Sequence, residues 1–300
     1  MAFPDSYIDL LLSSCLHKPS LEVEFYIPRF RNRLAIIASW DIPASQHLLD
    51  IGCGQGESSL ALALAVSPIG HITALDPAQP DYGTPFTVAE SHAYILNSPL
   101  GPRISFNQAD APSFFKDLQP GSANIYDAAC LLHSLMYFPT LDSVFTLFRV
   151  LAKTAIHKVY VAEYVFAAND DTQMPHYLAA QAQALFHEYR GPHVPGIREQ
   201  NVRAAPTPAN IKEAALKAGY TVLREGIISP EEEMREGLFE ARHVAGNDFK
   251  SMVLAERLQP AQEAEILSYV PRVQEAMEKL KGHKCSQGRA MDVWWAEFAL

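Results

Sequence analysis

A glycine-rich turn between a predicted strand and a predicted helix constrains this chain more than any other feature. The strand spans residues 47–51, Gly52, Gly54 and Gly56 alternate after it, and the helix spans residues 58–66. Glycine adopts positive φ angles and lets a ligand approach the backbone closely. The N-terminus of a helix presents free N–H groups and the positive end of its dipole to an anionic group. The segment therefore predicts a ligand site at the carboxyl end of this strand; the alternative is a glycine turn without a ligand.

Strands and helices alternate along the rest of the chain. Further strands are predicted at residues 71–75, 104–108, 126–132, 158–164, 220–228 and 293–300, and helices at 88–96, 140–155 and 206–219. Strands that are separated by helices form mostly parallel sheets with helices on both faces. The sequence thus predicts an α/β fold with a seven-stranded, mostly parallel sheet.

Helical or irregular insertions surround this predicted sheet. The core is predicted to comprise residues 41–165, 208–229 and 289–300. The cap or lid elements are predicted to comprise residues 1–40, 166–207 and 230–288. Because the insertions are scattered along the chain, we expect residues 1–300 to form a single elaborated domain rather than two independent ones.

Composition and charge exclude several classes of protein. Acidic residues outnumber basic ones 34 to 24, and a net charge of −10 makes nucleic acid and anionic membranes poor partners. The uncharged run 58–75 contains helix breakers at 68–70, so we expect protein core there and no membrane span. The cysteines lack the spacing of a zinc or redox motif, which predicts no metal site and a reducing, cytoplasmic location. They are Cys15, Cys53, Cys130 and Cys285.

The turn Asp50-Ile51-Gly52-Cys53-Gly54-Gln55-Gly56 resembles a known cofactor motif. The dinucleotide fingerprint Gly-x-Gly-x-x-Gly would need a small residue at position 57, where this chain has Glu57. A strand-end acid followed by three alternating glycines is instead similar to motif I of the class I S-adenosylmethionine-dependent methyltransferases. The resemblance implies a Rossmann-like fold with helical cap insertions and S-adenosyl-L-methionine as cofactor. The residues that it assigns to cofactor binding in the turn are Asp50, Gly52, Cys53, Gly54 and Gly56.

Two further acids follow predicted strands. Asp76, with Pro77 after it, ends the second strand, and an acid at this place can accept hydrogen bonds from both ribose hydroxyls of a nucleoside. Asp110, with Ala111 after it, resembles the position that contacts the adenine amino group in the family. The alternative for both acids is a helix cap or a surface position at a strand end.

The end of the fourth predicted strand carries the candidate catalytic residue. The stretch from Tyr126 to His133 resembles the fourth-strand motif of the family, which implies that Leu132 lies beside the methionine part of the cofactor. Methylation of oxygen requires removal of a proton, and histidine titrates near neutral pH. We therefore predict that His133 is a general base. The alternative is a histidine that orients the loop or packs against the cofactor.

An aromatic-rich stretch near the N-terminus, residues 25–30, is a candidate cover for the cofactor. Tyr26 is predicted to contact the cofactor from this stretch. Arg29 and Arg33 lie one helical turn apart, and Arg33 is predicted to meet the cofactor's carboxylate. The alternative is that these arginines are solvated on the surface.

The insertion after the fifth strand contains three histidines: His176, His187 and His193. Gln183, Phe186, His187 and Arg190 share one helix face at their spacing. This face can roof an apolar substrate pocket. The alternative is an amphipathic helix that is half-buried for packing alone.

These features predict methyl transfer to a small, largely apolar molecule, with oxygen as the favoured acceptor atom. Enzymes that methylate amino groups of nucleic acids and proteins commonly carry an Asn-Pro-Pro-Tyr-type tetrapeptide after the fourth strand, where this chain has Leu132-His133-Ser134-Leu135. The chain resembles the stand-alone methyltransferases of fungal natural-product biosynthesis, which implies secondary metabolism and a monomer or homodimer. The alternative is a cyclase or a regulatory protein of the same fold that binds the cofactor without methyl transfer.

Overall fold

The structure, a computed structural model, describes residues 4, 6–66, 68–117, 125–154, 156–191 and 201–300. Its strands are β1 His47–Ile51, β2 His71–Leu75, β3 Ile104–Asn107, β4 Ala128–Leu132, β5 Lys158–Tyr164, β6 Thr221–Ile228 and β7 Val293–Ala299. Its α-helices are α1 Ser6–Ser14, α2 Ile27–Trp40, α3 Glu57–Ala65, α4 Val88–Leu96, α5 Ala111–Asp117, α6 Leu141–Lys153, α7 Met174–Arg190, α8 Pro208–Lys217, α9 Leu238–Ala245, α10 Asn247–Ala255 and α11 Pro260–Lys279.

The strands of the described residues form one seven-stranded sheet in the order β3-β2-β1-β4-β5-β7-β6. Strands β1 to β5 are parallel, and β7 runs antiparallel to both β5 and β6. The predicted seven-stranded, mostly parallel sheet is thereby confirmed. The strand order reverses between β1 and β4, and ligands of such sheets bind at the carboxyl ends of the strands at this point. The glycine turn follows β1 there.

Helices cover both faces of the sheet, as predicted. Successive side chains of a strand point to opposite faces, so neighbouring residues of β1 enter different cores. Leu48 belongs to the buried cluster that contains Phe30 of α2 and Leu60 of α3. Leu49 belongs to the cluster that contains Phe148 of α6. The sheet therefore holds the carboxyl ends of its strands between two packed helix layers.

The cap helices form a third buried cluster. It consists of residues from α7, α9, α10 and α11, which lie in the predicted cap segments 166–207 and 230–288. Phe186 of α7 packs edge-to-face on Phe249 of α10, with 5.9 Å between the ring centroids. None of the helices in the described residues is long and apolar enough to cross a membrane.

Several element ends differ from the sequence prediction, and one helix of the described residues was absent from it. Helix α5 was not predicted; Asp110 begins it by accepting the backbone N–H of Ser113 at 2.8 Å. Strand β4 begins at Ala128 instead of residue 126. The cause lies in Asp127, whose N–H donates to the His47 carbonyl at 2.8 Å and whose carboxylate accepts the His47 N–H at 2.7 Å. These contacts bind Asp127 to the start of β1 just before the β4 ladder begins.

The packing of α6 against the sheet yields a stability prediction. Phe148 is fully buried, and its ring lies edge-to-face on Tyr220 at 6.0 Å and on Phe298 at 5.8 Å. We expect Phe148→Ala to lower the free energy of unfolding by about 3–5 kcal/mol because it leaves a cavity. Leu216 of α8 is 54% exposed, so Leu216→Ala is the control, with a change within about 0.5 kcal/mol. Denaturant unfolding measures both, and equal losses would contradict the packing.

Candidate cofactor and acceptor site

The turn after β1 is built on three glycines with positive φ angles. They are +79° at Gly52, +52° at Gly54 and +100° at Gly56. A Cβ at Gly52 would lie 2.6 Å from Cβ of Ser134, and one at Gly56 would lie 2.6 Å from Cδ1 of Ile95. A Cβ at Gly54 would meet no other atom of the described residues within 4 Å. Two of the glycines thus permit close packing, while Gly54 leaves open space beside the backbone.

Asp76 connects this turn to the end of β2. Its Oδ2 accepts the Gly54 N–H at 2.7 Å, and its Oδ1 accepts the Ala78 N–H at 2.8 Å. A carboxylate accepts about four hydrogen bonds, so each oxygen keeps capacity for a ligand hydroxyl. Pro77 lies between Asp76 and Ala78 in the sequence, and it is exposed. The structure therefore brings Asp76 and Pro77 to the glycine turn.

Asp50 and Cys53 lie behind the turn, away from solvent. Asp50 is fully buried in β1, and its Oδ2 accepts hydrogen bonds from the hydroxyls of Ser58 at 2.7 Å and Ser59 at 2.6 Å. Burial raises the pKa of Asp50 to about 6. Its Oδ1 has no hydrogen-bond partner among the described residues. Burial also raises the pKa of the Cys53 thiol well above its usual value, so the thiol is neutral. Cys53 therefore contributes its backbone and its side-chain volume to the turn, and no charge.

Asp110 and Ala111 follow β3. Asp110 is exposed and Ala111 is buried. The Oδ1 of Asp110 caps α5, which is the alternative role considered from the sequence. A carboxylate that caps a helix with one oxygen still presents the other, so the contact of Asp110 with adenine stays a prediction.

His133 directly follows Leu132, which is buried at the end of β4. The His133 backbone has φ +54° and its N–H donates to the Ala162 carbonyl at 2.9 Å. A positive φ is uncommon outside glycine, and such strain concentrates at functional sites. The imidazole is 4% exposed and stacks on the Tyr164 ring, with 4.5 Å between centroids. The backbone and the packing thus hold the ring in one place.

Two polar side chains that the sequence analysis did not single out flank the His133 ring. Its Nδ1 lies 3.8 Å from Oε1 of Glu163, and its Nε2 lies 3.5 Å from Nδ2 of Asn32. Glu163 is fully buried and accepts the backbone N–H groups of Met136 at 3.0 Å and Tyr164 at 2.9 Å. No local motif marks either residue, because each meets His133 only through the tertiary fold.

Tyr26 and Arg33 lie on the N-terminal segment, and both are buried. Tyr26 directly precedes α2, and burial raises its pKa. Arg29 pairs through Nη1 with Oε1 of Glu57 at 2.8 Å. Nη2 of Arg33 lies 3.3 Å from Oε1 of Glu236, while its Nε and Nη1 are buried with no hydrogen-bond partner among the described residues. The alternative that Arg29 and Arg33 are solvated surface arginines is wrong.

Glu236 is the counter-charge that the sequence analysis missed. It lies between β6 and α9, 3.1 Å from Nε of Arg29, and its Oε2 accepts the Tyr164 hydroxyl at 3.0 Å. Burial acts to raise the pKa of Glu236, but the guanidinium groups of Arg33 and Arg29 outweigh it, and the pKa lies well below its usual range. It is one acid in a charged segment, so the sequence contains no signal that would separate it from its neighbours.

The predicted face of α7 packs into the cap. Gln183, Phe186 and His187 are buried, as their spacing indicates. Nε2 of Gln183 donates to Glu240 at 2.5 Å, and Nε2 of His187 lies 2.7 Å from the Pro139 carbonyl oxygen. The contacts of these side chains are therefore those of a packed amphipathic helix.

The other two histidines of this insertion are His176 and His193. His176 is buried, and burial lowers its pKa to about 4. Its Nδ1 accepts the Met291 N–H at 3.1 Å, so the neutral ring carries its proton on Nε2. His193 lies outside the described residues.

The arrangement fits a nucleoside cofactor with an amino-acid tail. Gly54 leaves room for a ligand beside the backbone, and Asp76 keeps capacity for hydroxyl groups. Arg33 has two buried nitrogens, Nε and Nη1, whose N–H groups have no acceptor among the described residues. A buried guanidinium that is only partly paired is costly, and a carboxylate would complete it. The strand order and the glycine turn define a class I S-adenosylmethionine-dependent methyltransferase.

Comparison with known proteins agrees with this class. Methyltransferase phomM' and methyltransferase phomM, both from Diaporthe leptostromiformis, are 41% and 40% identical to this chain; each match covers 97% of this chain and 88% of the relative. A cyclopropane-fatty-acyl-phospholipid synthase-like protein from Lactobacillus casei has a TM-score of 0.79 at 21% identity, over 99% of this chain and 100% of that chain, and so shares the fold. No family model matches the chain.

This chain belongs to the family of fungal methyltransferases that includes phomM' and phomM. The glycine turn and its open space at Gly54 fit S-adenosyl-L-methionine, the cofactor that the motif predicts.

The open space at Gly54 yields a binding prediction. We expect Gly54→Ala to fold, at a cost of about 1–2 kcal/mol for its left-handed backbone, and to weaken binding of S-adenosylhomocysteine by at least about tenfold. The reason is that the new methyl group would occupy the ligand's space. Gly282→Ala is the matched control, because Gly282 also has a positive φ, +84°, and open surroundings but lies far along the chain from the turn. Calorimetric titration measures both variants, and equal affinities would contradict the placement of the ligand.

Proposed function

We propose that this protein transfers a methyl group from S-adenosyl-L-methionine to a small, largely apolar molecule of secondary metabolism, at an oxygen atom that loses its proton. The observation that carries this proposal is the buried His133 ring, which lies beside the Glu163 carboxylate at the carboxyl end of β4. The turn after β1 lies beside this strand, since β1 and β4 are neighbours in the sheet. In this proposal the base therefore lies next to the cofactor turn.

Residues from five parts of the fold hold the cofactor in this proposal. When bound, its sulfonium group supplies an electrophilic methyl group. Asp76 accepts the ribose hydroxyls, Asp110 contacts the adenine amino group, and Arg33 pairs with the carboxylate. The remaining residues shape the site through backbone and packing: Asp50, Gly52, Cys53, Gly54, Gly56, Pro77, Ala111, Leu132 and Tyr26.

His133 removes the acceptor's proton. With the Asn32 amide donating toward Nε2, Nδ1 carries the ring proton and faces the Glu163 carboxylate. An acceptor hydroxyl that replaces the amide meets the free electron pair of Nε2. Once Nε2 takes the proton the ring is cationic, and the buried Glu163 carboxylate stabilises that charge. Glu163 does this without moving, because two backbone N–H groups already fix it.

An amine nitrogen is the second candidate acceptor. The Glu163 carboxylate beside the His133 ring provides negative charge that favours an acceptor with an ammonium group. The same histidine would then remove the ammonium proton before attack.

Substitution of His133 tests the base. We expect His133→Gln to lower kcat by about 10²-fold or more, because general-base catalysis contributes that much, and to leave cofactor binding unchanged. His187→Gln is the matched control, since His187 is also buried but bonds to a backbone carbonyl in the cap, and it should turn over normally. Single-turnover kinetics at saturating cofactor measure both. Normal turnover by the His133 variant with bound cofactor would overturn the role.

The acceptor atom is tested with paired substrates. Phenols and amines on the same apolar skeleton are incubated with methyl-labelled S-adenosylmethionine. We expect the phenols to gain one methylene unit in mass, with one equivalent of S-adenosylhomocysteine formed and the label on oxygen by NMR. Label on nitrogen only would replace oxygen with the amine candidate. Binding of the cofactor with no methylated product across both sets would contradict the proposal.

A further inference from the structure

Glu236 joins the cap to two other parts of the molecule through one carboxylate. Its Oε1 lies 3.1 Å from Nε of Arg29 and 3.3 Å from Nη2 of Arg33, both on α2. Its Oε2 accepts the Tyr164 hydroxyl at 3.0 Å, at the end of β5. Both oxygens are thus engaged, each with a different element.

The contact with α2 continues to the cofactor turn. Nη1 of Arg29 lies 2.8 Å from Oε1 of Glu57, the residue that follows Gly56. A chain of ion pairs therefore runs from the cap through α2 to the start of α3. Within the described part of the chain Arg33 is paired only through Nη2, so its other N–H groups stay available to an anion.

The contact with Tyr164 continues to the catalytic candidate. The Tyr164 ring stacks on His133, with 4.5 Å between centroids, and meets His176 edge-to-face at 4.8 Å. A hydroxyl fixed by Glu236 restricts the position of this ring. Glu236 thus helps to position the Tyr164 ring, against which the His133 ring packs.

The segment that carries Glu236 is itself fixed against the site. A Cβ at the next residue, Gly237, would lie 2.1 Å from Cγ of His176, so only glycine permits this approach. The side chains of Arg29, Arg33 and Glu236 are 17%, 9% and 20% exposed. Ions this buried are stable only when paired. Removal of the Glu236 charge would leave Arg33 without its counter-charge and Arg29 with Glu57 alone.

We infer that Glu236 is a positioning residue that couples cofactor capture to the placement of His133. It holds α2 so that Arg33 faces the cofactor's carboxylate, and it holds the Tyr164 ring behind the base. The cap and the N-terminal helix therefore close over the site as one unit. The inference rests on the proposed function, which assigns the roles of Arg33 and His133.

Two substitutions test the coupling. We expect Glu236→Gln to weaken binding of S-adenosylhomocysteine by about tenfold or more, because α2 loses the buried ion pairs that place Arg33. Tyr164→Phe removes one hydroxyl, and we expect it to lower kcat while binding stays within about twofold. In the Glu236→Gln background, Tyr164→Phe should have no further effect on kcat, because contacts that share a partner are not additive. A loss of global stability alone would not produce this split between binding and turnover.

The matched control is another cap carboxylate that pairs with an arginine. Oδ2 of Asp170 lies 2.7 Å from Nη2 of Arg289, and Asp170→Asn should bind S-adenosylhomocysteine normally. Normal binding by Glu236→Gln, or additive effects of the two substitutions, would overturn the inference. If Glu236→Gln does not fold, the same cycle with Glu236→Asp and Tyr164→Phe decides, because the shorter side chain keeps the charge but cannot reach α2 and Tyr164 together. The binding measurement with S-adenosylhomocysteine needs no methyl acceptor. A loss of binding in Glu236→Gln can therefore be measured even if His133 is not the base.

Discussion

The hydrogen bond from the Gly54 N–H to the Asp76 carboxylate is the contact on which the site depends. At 2.7 Å it fixes the turn after β1 to the end of β2, and it requires the positive φ that Gly54 adopts. The turn can then pass beneath a ligand with no side chain in the way. Parallel strands bring Asp76 to the same edge as the turn, so the register of β1 with β2 is what creates the contact.

A second constraint is the burial of charge over this edge. Arg29 and Arg33 lie inside the protein, which is tolerable only because Glu236 and Glu57 neutralise them. Arg33 is only partly paired in the described residues. Its remaining N–H groups make α2 suitable for binding an anionic ligand. The proposed lid, helix α2, is thus held by ion pairs as well as by apolar packing, and the counter-charge of Arg33 comes from a segment about 200 residues away in sequence.

Local sequence patterns predicted the sheet and the cofactor turn. They did not predict the contacts between segments that are distant in the sequence. Strands β1, β2 and β5 begin and end where the sequence predicts, because apolar runs bounded by turn residues are a local signal. Gly54 and Asp76 were predicted to bind the cofactor because a motif of fixed spacing contains them. Glu163, Asn32 and Glu236 were missed because each acquires its role from a partner on another element. For the same reason the sequence could not decide whether Arg33 was solvated or buried.

The contacts between the cap segments bear on domain organisation. Glu236, from the segment 230–288, meets Arg33 of the segment 1–40 and Tyr164 at the end of β5. Gln183, from the segment 166–207, donates to Glu240 of the segment 230–288. Each insertion thus satisfies buried polar groups of another, and isolating one would leave those groups unpaired. This interlocking supports the proposal that residues 1–300 are a single elaborated domain. It also means that a change in one cap segment, made to admit a different acceptor, would act on the base and the cofactor site together.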